Sequence, residues 1–423
     1  MPSLRSMAVV TVSLAAALIP SFVYAQAAPE PTGAMQVTTR PLEAGFQDGF
    51  FIQTADRENR LVLGMAAQTD ARLSAGDPKP IINTFTIRKI RPTFTGRVAK
   101  YFDFRVMPDF GGGTTIVQDA YFDIRFSPKF RIRTGKDKTP VGYELLEGDS
   151  FLLFPERALA SNLVPNRDIG FQVQGDLAGG KLFYAAGVFN GIPDGSSSST
   201  ELDTNGTKDL AGRVVVQPFK STKTPAGPLN GFGFQVGGSH GRQFGALPAF
   251  RTSVQQTFFS YVIGAAASGI RNRASPALFY FYGPFGGFAE YMRSAQPVIK
   301  GTTITDVDNH AWEVTGSYLV TGETASYAIV RPENAFDPAN GHWGALQLVG
   351  RYTALTVDRS VFTAGLAAAG ASRAAKSFTL GANWYPNQAI KIYATFERTA
   401  FEGDESGSRR AESVILFRTQ LSF

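Results

Sequence analysis

From Ser413 to Phe423 the side chains alternate. Ile415, Phe417, Thr419, Leu421 and Phe423 fall on one side; Val414, Leu416, Arg418, Gln420 and Ser422 fall on the other. Successive side chains of a strand point to opposite faces, so this segment makes a strand with one mostly apolar face and a second that turns polar. A strand that ends the chain with an aromatic residue and an apolar face must close against another strand, because an open edge in apolar surroundings leaves backbone groups unpaired.

The start of the chain places that strand outside the cytoplasm. Arg5 is a short positive n-region, Met7 to Ile19 an apolar h-region ending at Pro20, and Val23-Tyr24-Ala25 a small-residue cleavage site before Gln26. Residues 1–25 therefore read as a signal peptide and 26–423 as one domain. Removing Arg5 lowers the formal net charge from +6 to about +5. After residue 25 no run approaches the ~18 apolar residues of a membrane helix. A membrane protein without such helices must be a closed barrel. Aromatic residues make up 12% and glycine counts 44, while mean hydropathy is near zero. That balance arises when apolar outward residues average against polar inward ones. With no cysteine, a large hydrogen-bonded sheet rather than disulfides must hold the chain together. A secreted, soluble all-β protein is the alternative.

Five segments in order pass the test of alternation followed by a turn signal. Arg60, Gly64, Gln68, Asp70 and Arg72 interleave with Leu61, Leu63, Met65 and Leu73. Lys89, Arg91, Thr93, Thr95 and Arg97 interleave with Ile90, Phe94 and Val98. Asp103 and Arg105 oppose Phe102, Phe104 and Val106; Asp119, Tyr121, Asp123 and Arg125 oppose Ala120, Phe122, Ile124 and Phe126. After the Ser127-Pro128 turn, Lys129, Arg131 and Arg133 oppose Phe130 and Ile132. Noisier alternation follows at Asp168–Gln174, Leu346–Tyr352 and Ile390–Glu397. The polar, Gly- and Pro-rich stretches Gly191 to Asp209, Lys220 to Gly231, Ala295 to Asn309, Arg331 to Gly341 and Glu402 to Ser408 read as loops. Long loops and tight turns suit opposite ends of a barrel. At roughly 25 residues per strand the mature chain holds about 16 strands. The expectation is an all-β, transmembrane antiparallel β-barrel, and barrels of that size enclose an aqueous lumen.

The inward face is where function must lie. Between Lys89 and Arg133 it carries Lys89, Arg91, Arg97, Arg105, Arg125, Lys129, Arg131 and Arg133 against Asp103, Asp119 and Asp123. Arginine keeps its charge and offers a planar fork of donors to carboxylate and phosphate oxygens, so such a wall favours anions. Charged lumen ladders that are merely paired and solvated are the other reading. The mixed stretch Tyr143 to Asn166 fits a loop folded back into the barrel to narrow it, with Lys136, Lys138 and Arg157 as candidate constriction cations. Gly135-Lys136 is no P-loop, because Phe130 stands where its first glycine would be and Asp137 replaces Ser/Thr.

Several blocks along the chain resemble one family, the phosphate-selective porins O and P. They include Arg88-Lys89-Ile90-Arg91-Pro92 with Gly96-Arg97, Gln118 to Asp123 leading to Arg133-Thr134-Gly135-Lys136, and Lys138 to Gly142. Further on come Phe154-Pro155-Glu156-Arg157, Asn166 to Gly170, Tyr318 to Glu323, Trp343-Gly344-Ala345 and Gly381 to Pro386. The resemblance implies a 16-stranded, usually trimeric outer-membrane porin of a Gram-negative bacterium, embedded in outer-membrane lipid. Its basic pore would pass phosphate or polyphosphate.

Other functions find less support. The three histidines, His240, His310 and His342, have no metal-type partner at i+4, and a Gly-x-Ser-x-Gly elbow is absent. No enzyme activity, cofactor, metal or nucleic-acid partner is expected. The rivals are a general, weakly selective porin whose carboxylates neutralise the arginines, and a surface adhesion barrel with Gly191 to Asp209 as its contact loop.

Overall fold

The computed structural model describes residues 41–76, 81–199, 203, 206–221, 227–403 and 409–423; the expected signal peptide lies outside them. Pro41–Phe423 forms one compact unit. Its strands are β1 (Leu42–Phe46), β2 (Phe50–Thr54), β3 (Arg60–Ser74), β4 (Thr84–Val98), β5 (Phe102–Asp109), β6 (Ile116–Ser127) and β7 (Phe130–Lys138). They continue with β8 (Arg167–Leu177), β9 (Leu182–Phe189), β10 (Asp209–Val216), β11 (Phe232–Gly245), β12 (Phe250–Arg251), β13 (Thr257–Phe259) and β14 (Ala265–Tyr282). The last six are β15 (Phe285–Lys300), β16 (Thr303–Leu319), β17 (Ala345–Thr356), β18 (Ala374–Tyr385), β19 (Ile390–Glu402) and β20 (Glu412–Ser422).

Sixteen of them, β3–β11 and β14–β20, pair antiparallel in chain order, and β20 returns to pair with β3 from Val414↔Ser74 to Ser422↔Ala66. The sheet is closed, as the terminal alternation demands. Phe423 completes the seam: Met65 N–H donates to its carbonyl at 2.9 Å, and its own N–H donates to Met65 O at 3.0 Å. Where β20 stops, the β1–β2 hairpin takes over the β3 edge, from Gln53↔Arg60 to Phe50↔Leu63. The Phe46, Phe50 and Phe423 rings meet there, 5.1–6.1 Å apart. Around the first half of the wall Phe94, Val98, Phe102, Val106, Phe122, Phe126 and Phe171 are exposed on the outside, the apolar band that lipid requires. Gly135 shows what close pairing needs. It has φ +118°, and a Cβ there would sit 2.2 Å from Ala120 O across the β6–β7 pair.

Two loop expectations are corrected. Ala295 to Asn309 is the β15–β16 hairpin, turned at Gly301-Thr302 with Lys300 opposite Thr303. The usual polarity is inverted there: Val298 and Val307 point inward into a buried apolar cluster, while Arg293, Asp306 and Asp308 face out. Lys220 to Gly231 and Arg331 to Gly341 join β10 to β11 and β16 to β17, so they lie at the same end as the Ser127-Pro128 turn. Long connections are therefore not confined to one end. The second of these stretches sits in a connection, residues 320–344, that buries Ala325 and Val330.

Candidate pore constriction

The chain between β7 and β8, residues 139–166, crosses the lumen as an inward-folded loop. Two short 3₁₀ turns, Glu144–Leu146 and Leu159–Leu163, shape it, and the far wall holds it. The Glu290 carboxylate of β15 accepts the N–H groups of Tyr143 and Glu144, the latter at 3.2 Å. Asn383 donates to Leu153 O at 2.9 Å, Lys391 to Leu152 O at 2.7 Å and Gln420 to Ser150 O at 3.0 Å. Arg351 donates to Glu156 O at 2.9 Å and lies over the Phe154 ring at 4.4 Å. Apolar side chains complete the attachment: Val141, Leu145, Leu159 and Leu163 share a buried cluster with Met292, Val298, Val307 and Leu355 of β15–β17. From the turn end, Tyr327 in the 320–344 connection packs its ring 5.6 Å from that of Tyr143.

Carboxylates on the loop gather cations from the wall. Asp149 pairs with Lys89 at 3.1 Å, Arg157 at 2.6 Å and Arg91. Burial works to raise its carboxyl, but Lys89, Arg157 and Arg91 outweigh that and hold it well below the ordinary carboxylate range. Glu156 is held low in the same way, with Arg418 and Arg88 overcoming burial; it bonds Arg88 at 2.7 Å, Arg72 at 3.3 Å and Arg418 at 2.7 Å. Arg88 reaches inward beside Lys89 because β4 carries a bulge there: Gln68 pairs with Lys89 and Thr69 with Ile87. Burial pushes the Glu147 carboxyl up to about 7, against the pull of Lys138 and Arg213.

Between the loop and the β3–β10 wall lies a cavity of about 520 Å³. Six cations line it, Arg91, Arg105, Arg133, Lys138, Arg167 and Arg213, against the carboxylates Asp48, Asp119, Asp137 and Asp149. Of the cations singled out from sequence, Arg91, Arg105, Arg133 and Lys138 thus meet at one place. Arg105 bonds Asp119 at 3.0 Å; Arg133 bonds Asp123 at 2.7 Å, pairs with Asp137 and stacks 3.7 Å above the Tyr121 ring. Lys89 and Arg157 sit at the Asp149 node. Arg97 and Arg125 share Asp103 at 2.7 and 3.8 Å, and Arg131 faces Asp176 at 3.9 Å. Lys136 donates to Ser198 O at 2.6 Å, below the loop that follows β9. Lys129 is exposed in the β6–β7 turn.

Alternation alone misses Arg167 and Arg213. Arg167 bonds Asp119 at 2.7 Å from the first position of β8, where the long loop hides the strand start. Arg213 lies in β10, Asp-Leu-Ala-Gly-Arg-Val-Val-Val, a short and mostly apolar strand in which Asp209 and Arg213 share one face. A lone arginine in such a run is the signal that would have found it. Its guanidinium stacks 4.9 Å from the Phe183 ring and donates to Gln235 Oε1 at 3.3 Å. Among the described residues it pairs with no carboxylate.

A closed 16-stranded barrel narrowed by an inward loop is matched by a family model. Residues 63–423 fit the family described as phosphate-selective porin O and P. The chain belongs to that family. It is also 24% identical over 407 residues to Porin O of Pseudomonas aeruginosa, covering 85% of this chain and 88% of that protein. Among solved structures, the outer membrane channel DcaP of Acinetobacter baumannii aligns with TM-score 0.57 at 11% identity, over 90% of this chain and 100% of that one. The anion-selective porin from Comamonas acidovorans aligns at 0.55 and 12%, over 86% and 100%. The OmpT trimer form of Vibrio cholerae aligns at 0.52 and 12%, over 86% and 99%. The porin is an outer-membrane channel of the Gram-negative type, and cations outnumber the aspartates around its cavity.

Proposed function

We propose that this porin passes small anions, inorganic phosphate and polyphosphate among them, by passive diffusion as a homotrimer set in outer-membrane lipid. The observation that carries the reading is the cavity at the constriction, where six cations face four carboxylates. Guanidinium forks in a narrow passage lower the barrier for oxyanions and raise it for cations. The family name and the printed descriptions of Porin O, the anion-selective Comamonas porin and trimeric OmpT support the solute class and the assembly. Lys89, Arg91, Arg105, Arg133, Lys138, Arg157 and Arg167 form the anion path. Arg97, Arg125, Lys129 and Arg131 set the potential at the turn-end mouth, and Lys136 sets it under the β9–β10 loop.

A second reading has its own observation: most of these arginines are already bonded to carboxylates, as Asp149, Asp119 and Asp103 illustrate. Full compensation would leave a general porin. The zero-current potential of the purified protein in a planar bilayer under a KCl gradient, with and without added phosphate, decides between them. The anion reading expects a chloride-side potential and a conductance reduced by phosphate; a potassium-side potential would overturn it.

A further inference from the structure

The cavity that carries the cations has apolar side chains in its lining as well. Arg91, Arg105, Arg133 and Arg213 stand on the β4–β10 wall, whereas Leu146 and Phe151 of the crossing loop, Ile329 of the 320–344 connection and Phe183 of β9 also line it. Each of these apolar side chains is only partly buried, so each keeps surface toward the lumen. Inorganic phosphate presents hydrated oxygens in every direction. Pressing some of them against Phe151 or Ile329 strips water with no hydrogen bond in return, which is unfavourable. A solute with one anionic end and one apolar body satisfies both kinds of lining at once.

Arg213 is placed to take the anionic end. Most of the surrounding arginines are held by carboxylates, but Arg213 is not, and its Nε is buried without a hydrogen-bond partner. Lys138, on the same cavity, spends its ammonium on the carbonyl of Glu147 and pairs with no carboxylate among the described residues. The Phe183 ring lies against the Arg213 guanidinium, so a flat apolar group docking there extends an existing cation–aromatic stack. A volume of about 520 Å³ falls within the range of pockets that hold small organic molecules.

We propose that the constriction binds organic carboxylates bearing an aryl or comparably bulky apolar body, with the carboxylate on Arg213 beside Lys138. The body lies against Phe183, Leu146, Phe151 and Ile329. This class is preferred at the cavity over short carboxylates and over inorganic phosphate, and the inference rests on the anion-channel reading above.

Sodium benzoate, sodium acetate and sodium phosphate, each added to the purified full-length porin in a planar bilayer, provide the test. Benzoate and acetate share a headgroup, so their difference isolates the apolar body. Benzoate is expected to halve the chloride current at a concentration about tenfold below acetate, and below phosphate as well. Phe183→Ala should narrow the benzoate–acetate gap, and Arg213→Gln should raise the blocking concentration of both. Should Arg213→Gln fail to assemble, the wild-type comparison still decides. Equal potency of benzoate and acetate, or stronger block by phosphate, with a chloride-side potential overturns this inference and leaves the anion channel standing. A potassium-side potential removes both.

Discussion

The two halves of the barrel wall use their inner faces differently. From β4 to β10 the inner face is charged and borders an open cavity, and its arginines are fixed side by side through carboxylates on neighbouring strands, as Arg133 is by Asp123. From β14 to β17 the inner face is covered, and it mixes buried polar groups such as Arg273, Glu290 and Arg351 with Phe279, Met292, Val298, Val307 and Leu355 under the crossing loop and its neighbours. One half borders open space; the other is a foundation for the loop. The loop is rigid because its backbone groups and leucines are bonded to that foundation. The charged half can then stay wet, since it is not asked to hold anything in place.

Breaking the joint between the halves should have the largest effect. Arg418 of β20 is buried, bonds Asp70 across the closing seam at 2.6 Å and Glu156 of the loop at 2.7 Å, and donates to Pro155 O. Arg418→Ala leaves buried Asp70 with Arg72 alone and Glu156 with Arg72 and Arg88, a loss of about 3 kcal/mol for the charged hydrogen bonds removed. The expected outcome is a marked fall in the temperature at which the barrel unfolds on heated gels, together with a larger single-channel conductance. Wild-type values for both would show that seam and loop are independent. A smaller effect is expected at the other anchor. Glu290→Ala leaves the Tyr143 and Glu144 N–H groups without an acceptor, roughly 1–3 kcal/mol for each. Conductance should rise while the seam, and hence assembly yield, stays intact. A conductance no different from wild type would mean the leucine packing alone pins the loop.

The same contrast explains what could be read in the chain beforehand. The charged half was legible from β4 to β7, because a lumen face of Arg and Asp against an outer face of Phe, Ile and Val keeps a period of two, broken at the bulge that turns Arg88 inward beside Lys89. Closure by the last strand and the inward loop were legible as well. The foundation was not. At β15–β16 Met292, Val298 and Val307 are buried inward against the loop beside polar Ser294, Gln296 and Asn309, while Arg293, Asp306 and Asp308 face outward, so the alternation is lost and the segment resembles a polar loop. Arg213 escaped because β10 is short and mostly apolar, leaving too few polar positions to set a period. Periodicity reports which face meets water; it fails where a strand's inner face meets protein.

On the charged half itself, Arg91→Ala, Arg131→Ala and Arg133→Ala combined test whether paired arginines still set selectivity. Removing them frees Asp109, Asp123 and Asp137, which they now bond or pair with. A unit charge a few ångströms from a permeating ion in water-like surroundings is worth about 1 kcal/mol. The anion-to-cation permeability ratio should therefore fall by about five- to tenfold, read from the reversal potential. An unchanged potential would assign selectivity to the remaining cavity cations, Arg105, Lys138, Arg167 and Arg213.

The smallest effect expected is a pH dependence where the two halves meet. Glu147 sits on the loop beside Leu146, near Lys138, Arg157 and Arg213 of the charged side and Glu144 of its own turn, and burial lifts its carboxyl to about 7. A raised carboxyl is neutral in the folded loop at a pH where it is already ionised in the unfolded chain. Its contribution is thus least unfavourable below the ordinary glutamate range, worsens as pH rises toward 7, and is constant above that. Ionisation also places a negative charge next to Lys138 and Arg213, opposing anions at the narrowest point. Anion selectivity should accordingly decline modestly between pH 6 and pH 8, and Glu147→Gln should flatten the profile at its low-pH value. A wild-type profile already flat across that interval would mean that Glu147 stays ionised throughout, its charge absorbed by Lys138 and Arg213.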